Sequence, residues 1–379
     1  MGFSERALID RAIASFLPVK GTMEISPLCN LRCNMCYVRE DSLGAGKEIL
    51  NGGEWLRIGK SAAEAGVLFV LLTGGEPLLH PDFRKIYLGL REMGLIISLN
   101  TNGTLIDEEW ADFFAENPCR EVCMTLYGAC PETYGKLCHD PNGFERTINA
   151  VKLLQERQIT VHMRISIVRE NMDEVEDMLK ILEDLGIEAA PVFYMFPPRR
   201  DDPNGDFEKS RMSPEEAAHA KTEYIFHRAN GRSRQDEARF YLDPIKYPPE
   251  VSPYGKGYPC PAGRSSFWVD WRGRLSSCSF IPEPYADLRE VSFADGWKEV
   301  VAGVKCAETC RKCHECRKRI LCKTCAAAMY TETGDMKQAP EYLCRMTDEM
   351  IKIMFSYLDD AEKADTRDAL EACGLIYDF

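Results

Sequence analysis

Apolar and polar segments alternate regularly between residues 21 and 196 of the 379-residue chain. Short, unbroken apolar runs such as 67–72 (VLFVLL) are typical of strands buried on both faces of a parallel sheet. Longer stretches with apolar residues every three or four positions, such as 143–157, indicate helices between these strands. The pattern predicts about six β/α units in an α/β fold, with the active loops at the carboxyl ends of the strands. A barrel and a doubly wound open sheet would both show this alternation. The predicted strands are 22–26, 67–72, 95–100, 121–126, 160–167 and 189–195.

Three further segments lie outside this alternation. Residues 1–20 have apolar positions at helical spacing and predict a short N-terminal helix that ends before Pro18. Residues 197–258 are rich in Pro, Asp, Gly and Tyr, and we interpret them as a bridging region with one helix, 213–229, that Ser213 caps. This region is either a plain linker or a lid that carries substrate specificity. Residues 351–379 are predicted to form a C-terminal helix and tail.

Composition and charge indicate a globular enzyme. The chain is 45% hydrophobic and 28% charged, and its length suggests about two domains. A net charge of -13 disfavours nucleic acid and anionic membranes as partners, because both attract basic surfaces. The sequence contains no apolar run of 18 residues and no signal peptide at its start. We therefore expect a cytoplasmic protein without a membrane or nucleic-acid partner.

Three of the 17 cysteines form a C-x3-C-x2-C loop, Cys29, Cys33 and Cys36, followed by Tyr37. An odd cysteine count in a long chain without a secretion signal favours metal binding over disulfides. Thiolates suit soft metals and iron–sulfur clusters, and three of them leave one iron of a four-iron cluster open. A zinc site would need a second Cys or His pair nearby, and none lies between Tyr37 and Cys119.

The segment Thr73-Gly74-Gly75-Glu76-Pro77 follows the predicted strand 67–72. Its two glycines allow the backbone to approach a ligand closely, and Glu76 offers an acceptor for a cationic group. At this distance after the cysteine loop, the GGEP sequence closely resembles the radical S-adenosylmethionine (radical SAM) enzymes. The resemblance implies a partial (β/α)6 barrel and a four-iron cluster held by the three cysteines of the loop. In that family the open iron binds the amino and carboxylate groups of SAM.

The ends of the next three predicted strands supply further SAM contacts under this resemblance. Asn102 and Thr125 occupy positions that contact SAM in the family, whereas Tyr127 replaces the acid of many relatives. The arginine that many relatives carry in the following loop has no counterpart here. Arg164 on the fifth strand is therefore a candidate partner of the SAM carboxylate, with a structural ion pair as its alternative. The predicted cofactor-binding residues are Tyr37, Gly74, Gly75, Glu76, Asn102, Thr125 and Arg164.

A second set of cysteines between 259 and 350 resembles the SPASM extension of radical SAM enzymes, which holds two auxiliary four-iron clusters. The resemblance assigns to the second auxiliary cluster Cys313, Cys316, Cys322 and Cys344. It assigns to the first auxiliary cluster Cys260, Cys278 and Cys325. No cysteine between Cys138 and Cys260 completes this first set, so we expect an open iron there or a ligand from Cys306 or Cys310. Zinc bound by the C-x2-C pairs is the alternative.

The resemblance implies a radical SAM oxidoreductase that uses SAM, three [4Fe-4S] clusters and an external electron donor such as a flavodoxin or ferredoxin. A 5′-deoxyadenosyl radical would take a hydrogen atom from the substrate, and the auxiliary clusters would accept the surplus electron. The first expected substrate is a peptide or protein side chain, in which a C–S, C–C or C–O bond forms. Only about twenty residues precede the first strand, so either a separate leader-binding partner or a different kind of substrate is expected.

Two alternatives remain from the sequence. One is a radical SAM dehydrogenase that acts on a small molecule or cofactor precursor. The other is an iron–sulfur electron carrier or zinc-stabilised binding protein, which would leave the GGEP sequence unexplained. No general base can be assigned, because Asp270, Tyr127 and Tyr194 each have a packing or turn role as an equally good explanation.

Overall fold

The computed structural model describes residues 4–38, 49–199, 206–247 and 257–371. Parts of the predicted N-terminal segment, barrel, bridging region and C-terminal tail therefore lie outside the described residues. The chain divides into two compact units. The first contains Met1–Ser210 and Pro261–Cys306, and the second contains Arg211–Cys260 and Ala307–Phe379.

The first unit is built on a nine-stranded sheet in the order β6-β5-β4-β3-β2-β1-β7-β8-β9. Its strands are β1 (Lys20–Ser26), β2 (Phe69–Gly74), β3 (Ile96–Asn100), β4 (Glu121–Leu126), β5 (Val161–Ser166), β6 (Ala189–Val192), β7 (Ser266–Val269), β8 (Arg274–Cys278) and β9 (Ile281–Asp287). Strands β1 to β6 are the six predicted strands, and each pairs in parallel with the next. The predicted parallel α/β sheet is thus confirmed.

The order of these strands separates two folds that have similar sequence patterns. A doubly wound sheet reverses its strand order at a switch point. Here the order follows the chain from β1 to β6, as it does in β/α barrels. The free edge of β1 is taken by β7, so the described sheet does not close from β6 back onto β1.

Helices connect the parallel strands, and their ends follow local sequence rules. Helix α2 begins with a capping box, in which the Asn51 side chain accepts from the Glu54 N–H and the Glu54 side chain accepts from the Asn51 N–H. The helices of the first unit are α1 (Glu5–Ser15), α2 (Gly52–Glu64), α3 (Phe83–Glu92), α4 (Glu108–Glu116), α5 (Pro131–Cys138), α6 (Gly143–Glu156), α7 (Val175–Asp184), α8 (Asp206–Ser210) and α11 (Phe293–Cys306). The predicted N-terminal helix is present as α1.

Strands β7, β8 and β9 extend the sheet beyond its predicted edge. Strand β7 runs parallel to β1, and β8 and β9 continue in antiparallel order. Gly21 permits this pairing, because a Cβ there would lie 2.1 Å from Cζ of the buried Phe267 ring. Residues 261–306 consequently belong to the first unit, whereas the remainder of the 259–350 segment belongs to the second.

The second unit is helical among its described residues. Helices α9 and α15 are its longest elements, and α15 buries Leu343, Met346, Met350 and Met354 along one face. Its helices are α9 (Pro214–His227), α10 (Arg234–Leu242), α12 (Arg311–Glu315), α13 (Arg319–Cys322), α14 (Ala326–Thr333), α15 (Glu341–Ser356) and α16 (Asp360–Glu371). None of the described helices is both long and apolar enough to cross a membrane.

The bridging region contains more helix than the sequence predicts. Helix α9 has the predicted cap, with Ser213 accepting from the Glu216 N–H and Pro214 in the first turn. Helices α8 and α10 were not predicted. Helix α10 buries only Glu237, Ala238 and Leu242, so its apolar periodicity is too weak to stand out from the polar residues around it.

Candidate functional site

A cavity of about 650 Å³ lies at the carboxyl ends of the parallel strands. The three thiols of the cysteine loop line it together with residues in the carboxyl-terminal halves of β2 to β6 or just after these strands. Six of the seven predicted SAM contacts also line this cavity, namely Tyr37, Gly74, Gly75, Asn102, Thr125 and Arg164. The structure therefore brings the two N-terminal motifs and the later strand ends to one place.

Backbone hydrogen bonds hold the cysteine loop against the end of α5. The N–H of Arg32 donates to the Cys138 carbonyl at 3.2 Å, and the N–H of Asn34 donates to the Leu137 carbonyl at 2.9 Å. Within the loop, the Leu31 N–H points at Cys29 Sγ from 3.4 Å. These contacts fix the loop geometry before any ligand binds.

Two thiols of the loop, those of Cys29 and Cys33, have a raised pKa. Burial raises the pKa of Cys29 to about 12, with the nearby Cys33 and Glu76 adding to the shift. The pKa of Cys33 lies well above its usual value because of contact with the Cys138 thiol and because of burial. Metal binding would therefore have to displace these protons.

The donor set fits an iron–sulfur cluster. Cys29, Cys33 and Cys36 are all free of disulfides, and three soft donors face one cavity. A four-iron cluster spreads its ligands over separate irons, so the thiols need not meet at one point. Across the described part of the chain, no three Cys, His, Asp or Glu side chains converge as they would around a single metal ion.

Gly74 and Gly75 allow the loop after β2 to lie directly on the chain that leads into the cysteine loop. A Cβ on Gly74 would lie 2.3 Å from the Ser26 carbonyl oxygen, and one on Gly75 would lie 2.5 Å from the Leu28 carbonyl oxygen. The Gly75 N–H donates to the Ser26 carbonyl at 2.8 Å. The two motifs thus form one backbone unit.

Glu76 is fully buried and does not line the cavity. Its carboxylate accepts from the Thr101 hydroxyl at 2.8 and 2.9 Å and from the Asn102 N–H at 2.8 Å. The Leu78 N–H donates to it at 3.1 Å. Burial raises the pKa of Glu76 to about 7, although these hydrogen bonds oppose the shift. Glu76 therefore ties the loop after β2 to the end of β3.

The Asn102 side chain bridges the end of β3 and the first cysteine. Its Oδ1 accepts from the Thr104 N–H at 2.9 Å and the Thr104 hydroxyl at 2.7 Å, which fixes the orientation of the amide. Its Nδ2 then donates to Asn30 Oδ1 at 3.0 Å and points at Cys29 Sγ from 3.7 Å. Neither Asn30 nor Thr104 was predicted as a site residue, although Asn30 directly follows Cys29.

Thr125 and Arg164 are register partners on β4 and β5, and both line the cavity. No hydrogen bond or ion pair joins the exposed Arg164 side chain to another described residue, so the structural ion pair considered above is not seen there. Tyr127 also lines the cavity. Burial, and then the thiols of the cysteine loop and of Cys138, raise the pKa of Tyr127 well above its usual value.

Aromatic rings form one wall of the cavity. The ring of Tyr37 lies 4.8 Å from that of Phe280, which stacks on Phe196 at 4.3 Å, and Phe196 lies 4.8 Å from Tyr194. Tyr37, Tyr194 and Phe196 line the cavity directly. Such a wall suits a flat ring such as a nucleobase. Phe280 was not predicted, because its distance along the chain hides this contact.

Asp270 has a structural role in the turn between β7 and β8. It is buried and accepts from Arg274 Nε at 2.8 Å and Nη2 at 2.6 Å. The backbone N–H groups of Arg272 and Arg274 also donate to it at 3.0 Å. These contacts occupy the carboxylate, so the turn role considered for Asp270 is the one that the structure shows.

The predicted auxiliary ligands fall in both units. Cys313, Cys316, Cys322 and Cys344 belong to the second unit, where burial raises the pKa of Cys313, Cys322 and Cys344. The charges of these neighbouring thiols add to each shift. Cys310 is buried against Cys313, whereas Cys306 is exposed at the end of α11. Cys278 belongs to the first unit, and Cys260 and Cys325 belong to the second.

Comparison with known proteins extends these observations. The family model described as "Radical SAM superfamily" matches residues 23–182. The AdoMet-dependent heme synthase of Methanosarcina barkeri is 26% identical over 84% of this chain and 94% of its own length. The PqqA peptide cyclase of Granulibacter bethesdensis is 24% identical over 83% of each chain.

A solved structure shares the fold. The structure of native anSMEcpe with bound AdoMet and Kp18Cys peptide has a TM-score of 0.64 at 18% identity, over 95% of this chain and 100% of that one. At this identity the similarity concerns the fold. The family match at residues 23–182 contains both motifs that line the cavity, so this part of the chain is similar to radical SAM enzymes in sequence.

Proposed function

We propose that this chain is a radical SAM oxidoreductase with a SPASM-type auxiliary domain. The observation that carries the proposal is the single cavity that contains the thiols of Cys29, Cys33 and Cys36 and the backbone of Gly74 and Gly75. A four-iron cluster bound there, once reduced, would cleave SAM to methionine and a 5′-deoxyadenosyl radical that abstracts a substrate hydrogen. An electron carrier would have no use for the glycine loop at this position.

The residues of the cavity divide into ligands and SAM contacts. The three loop cysteines hold the cluster, and Gly74 and Gly75 offer backbone groups to the methionyl part of SAM. Arg164 pairs with the SAM carboxylate, which is supported by its lack of any other described partner. Thr125 supplies a polar contact and Tyr37 offers a ring for stacking, whereas Asn102 lines the cavity with an amide that Asn30 and Thr104 already hold. Glu76 acts from beneath the cavity by positioning the ends of β2 and β3.

The auxiliary domain would hold two further four-iron clusters. Cys313, Cys316, Cys322 and Cys344 serve one, and Cys260, Cys278 and Cys325 serve the other, which keeps an open iron or recruits Cys306. The buried contact between Cys310 and Cys313 favours Cys306 over Cys310 for that role. Anaerobically reconstituted protein should then contain about 12 iron atoms per chain. Zinc at these cysteines with about four irons would contradict this part of the proposal.

The first substrate candidate is a peptide or protein side chain. The relatives that support it are the PqqA peptide cyclase and the peptide-bound anSMEcpe structure. The reaction would be a net oxidation, because the auxiliary clusters can accept the electron left after hydrogen abstraction. An external donor such as a flavodoxin or ferredoxin and a separate leader-binding protein complete this proposal, in the cytoplasm.

A small cofactor precursor is the second substrate candidate. The heme synthase of M. barkeri matches this chain over 94% of its own length, and its product is a heme. The aromatic wall of the cavity would suit a flat macrocycle as well as it suits a nucleobase.

Formation of 5′-deoxyadenosine in the presence of each candidate substrate tests the proposal. If the substrate is a peptide, one encoded next to this gene should accelerate 5′-deoxyadenosine release and change mass by the loss of two hydrogens. An iron porphyrin with carboxylate side chains should leave the rate unchanged. Acceleration by the porphyrin alone would favour the second candidate, and no 5′-deoxyadenosine under any condition would exclude both.

A further inference from the structure

One stretch of the second unit is strongly basic although the chain as a whole is acidic. Residues 311–323, which include α12 and α13, contain six Lys or Arg residues and one acid, Glu315. With His314 neutral, this gives a net charge of +5 within a chain of net charge -13. We call residues 311–323 the basic face.

Three of the six cations of the basic face are exposed, whereas Lys318 is largely buried and pairs with Asp348. The Arg311 side chain is 89% exposed, and Lys312 and Lys323 are also exposed. No side-chain hydrogen bond or ion pair joins Lys312 or Lys323 to another described residue. Arg311 pairs only with Glu315, and such exposed pairs contribute little to stability. These charges are therefore available to a partner.

An apolar residue stands among these cations. Ile320 is 52% exposed, while its neighbour Leu321 is buried. A single exposed aliphatic side chain is ordinary on a protein surface. Ile320 lies in the same stretch as the exposed Lys312 and Lys323, however, so it offers an apolar contact point beside positive charge, as interfaces with a polar rim do.

The basic face also contains three of the cysteines proposed for an auxiliary cluster. Cys313, Cys316 and Cys322 alternate with its cations along the chain, and Cys316 and Cys322 are partly exposed. This stretch therefore combines positive charge with the proposed ligands of a redox centre. A partner bound here would approach that centre closely.

We propose that the basic face is the docking surface for a small acidic electron-transfer protein. The inference rests on the function proposed above for the auxiliary cysteines. Charge complementarity selects the partner, because an acidic protein is repelled by the net charge of -13 and attracted to this local charge of +5. The contact is weak and transient, as redox encounters with small interfaces are.

Electrostatic docking of this kind has a defined salt dependence. The Debye length falls from about 30 Å at 0.01 M to about 10 Å at 0.1 M ionic strength, so exposed charges lose their attraction across that range. The affinity for an acidic partner should therefore fall steeply with added salt. An apolar contact through Ile320 alone would not show this dependence.

The experiment measures binding of the cluster-loaded protein to a flavodoxin by titration calorimetry at two salt concentrations. The Lys312→Glu/Lys323→Glu variant should bind at least about tenfold more weakly at low salt, since two attractions become repulsions. Ile320→Ser should weaken binding less and equally at both salt concentrations. The matched control is Lys60→Glu/Lys152→Glu, which changes net charge identically at exposed positions of α2 and α6 and should bind within about twofold of the native protein.

Equal weakening in the control would overturn the proposal, because net charge and not the basic face would then govern binding. Absence of flavodoxin binding by the native protein would overturn it as well. Tighter, sequence-independent binding of double-stranded DNA through Lys312 and Lys323 would assign the surface to nucleic acid instead. SAM cleavage driven by a chemical reductant is measured in parallel. Its absence in the native protein would defeat the proposed function, whereas its persistence in every variant shows that only docking was altered.

Discussion

At the scale of single residues, two side chains of the motifs form hydrogen bonds with neighbouring residues of the site. Glu76 was expected to contact SAM directly, but its carboxylate lies beneath the cavity and accepts from Thr101, Asn102 and Leu78. The Asn102 amide likewise spends its two hydrogens on Asn30 and Cys29. Both residues act by fixing the loops that form the cavity.

The buried Glu76 carboxyl makes stability depend on pH. Its pKa in the folded chain is raised from 4.5 to about 7, so the folded state holds this proton more tightly than the unfolded state does. Stability is therefore lost as pH rises from about 4.5 to about 7, by up to about 3 kcal/mol. Gln cannot ionise, so the Glu76→Gln variant should not lose this stability. Its free energy of unfolding should therefore increase relative to that of the native protein as pH rises from about 4.5 to about 7.

The measurement is denaturant unfolding of both proteins at pH 5 and pH 7.5. Glu116→Gln, which alters an exposed carboxyl at the end of α4, is the matched control and should show no comparable trend. A constant difference between Glu76→Gln and the native protein at both pH values would show that Glu76 remains ionised in the folded chain.

At the scale of elements, the loop after β2 and the segment between β1 and the cysteine loop behave as one piece. Gly75 is pressed against the Leu28 carbonyl, and the Glu76 N–H donates to that same carbonyl at 2.7 Å. The next residue after Leu28 is the first proposed ligand. A displacement of either loop should therefore reach the cysteines.

Gly75→Ala should displace the cysteine loop, because the alanine Cβ would lie 2.5 Å from the Leu28 carbonyl oxygen. A carbonyl of the backbone cannot rotate away from this contact as a flexible side chain could. We expect a loss of about 2 kcal/mol of unfolding free energy and reduced iron uptake. Gly135→Ala in α5 is the matched control, because its Cβ would meet only Pro141 at 3.5 Å. Ala there should be neutral or stabilising. Equal iron content in the two variants would contradict the coupling of the loops.

At the scale of the whole molecule, the sequence alone was sufficient to predict the parallel strands and the cysteine loop. Local patterns determine both, since the structure reproduces the apolar run 67–72 and the alternating segment 121–126 within two residues. The attachment of β7 to β1 was not predictable, because it depends on Phe267 packing over Gly21 from a distant part of the chain. Side-chain directions such as that of Glu76 also depend on contacts that periodicity does not encode.

The most direct test of the central claim is reductive SAM cleavage by anaerobically reconstituted protein with a chemical reductant. The native protein should release 5′-deoxyadenosine and methionine in equal amounts. Cys33→Ala should release neither, because it removes one of three proposed ligands of the cluster. Cys119→Ala, which changes a partly buried thiol outside the cavity, should cleave SAM as the native protein does. No 5′-deoxyadenosine from the iron-loaded native protein, or undiminished cleavage by Cys33→Ala, would contradict the account.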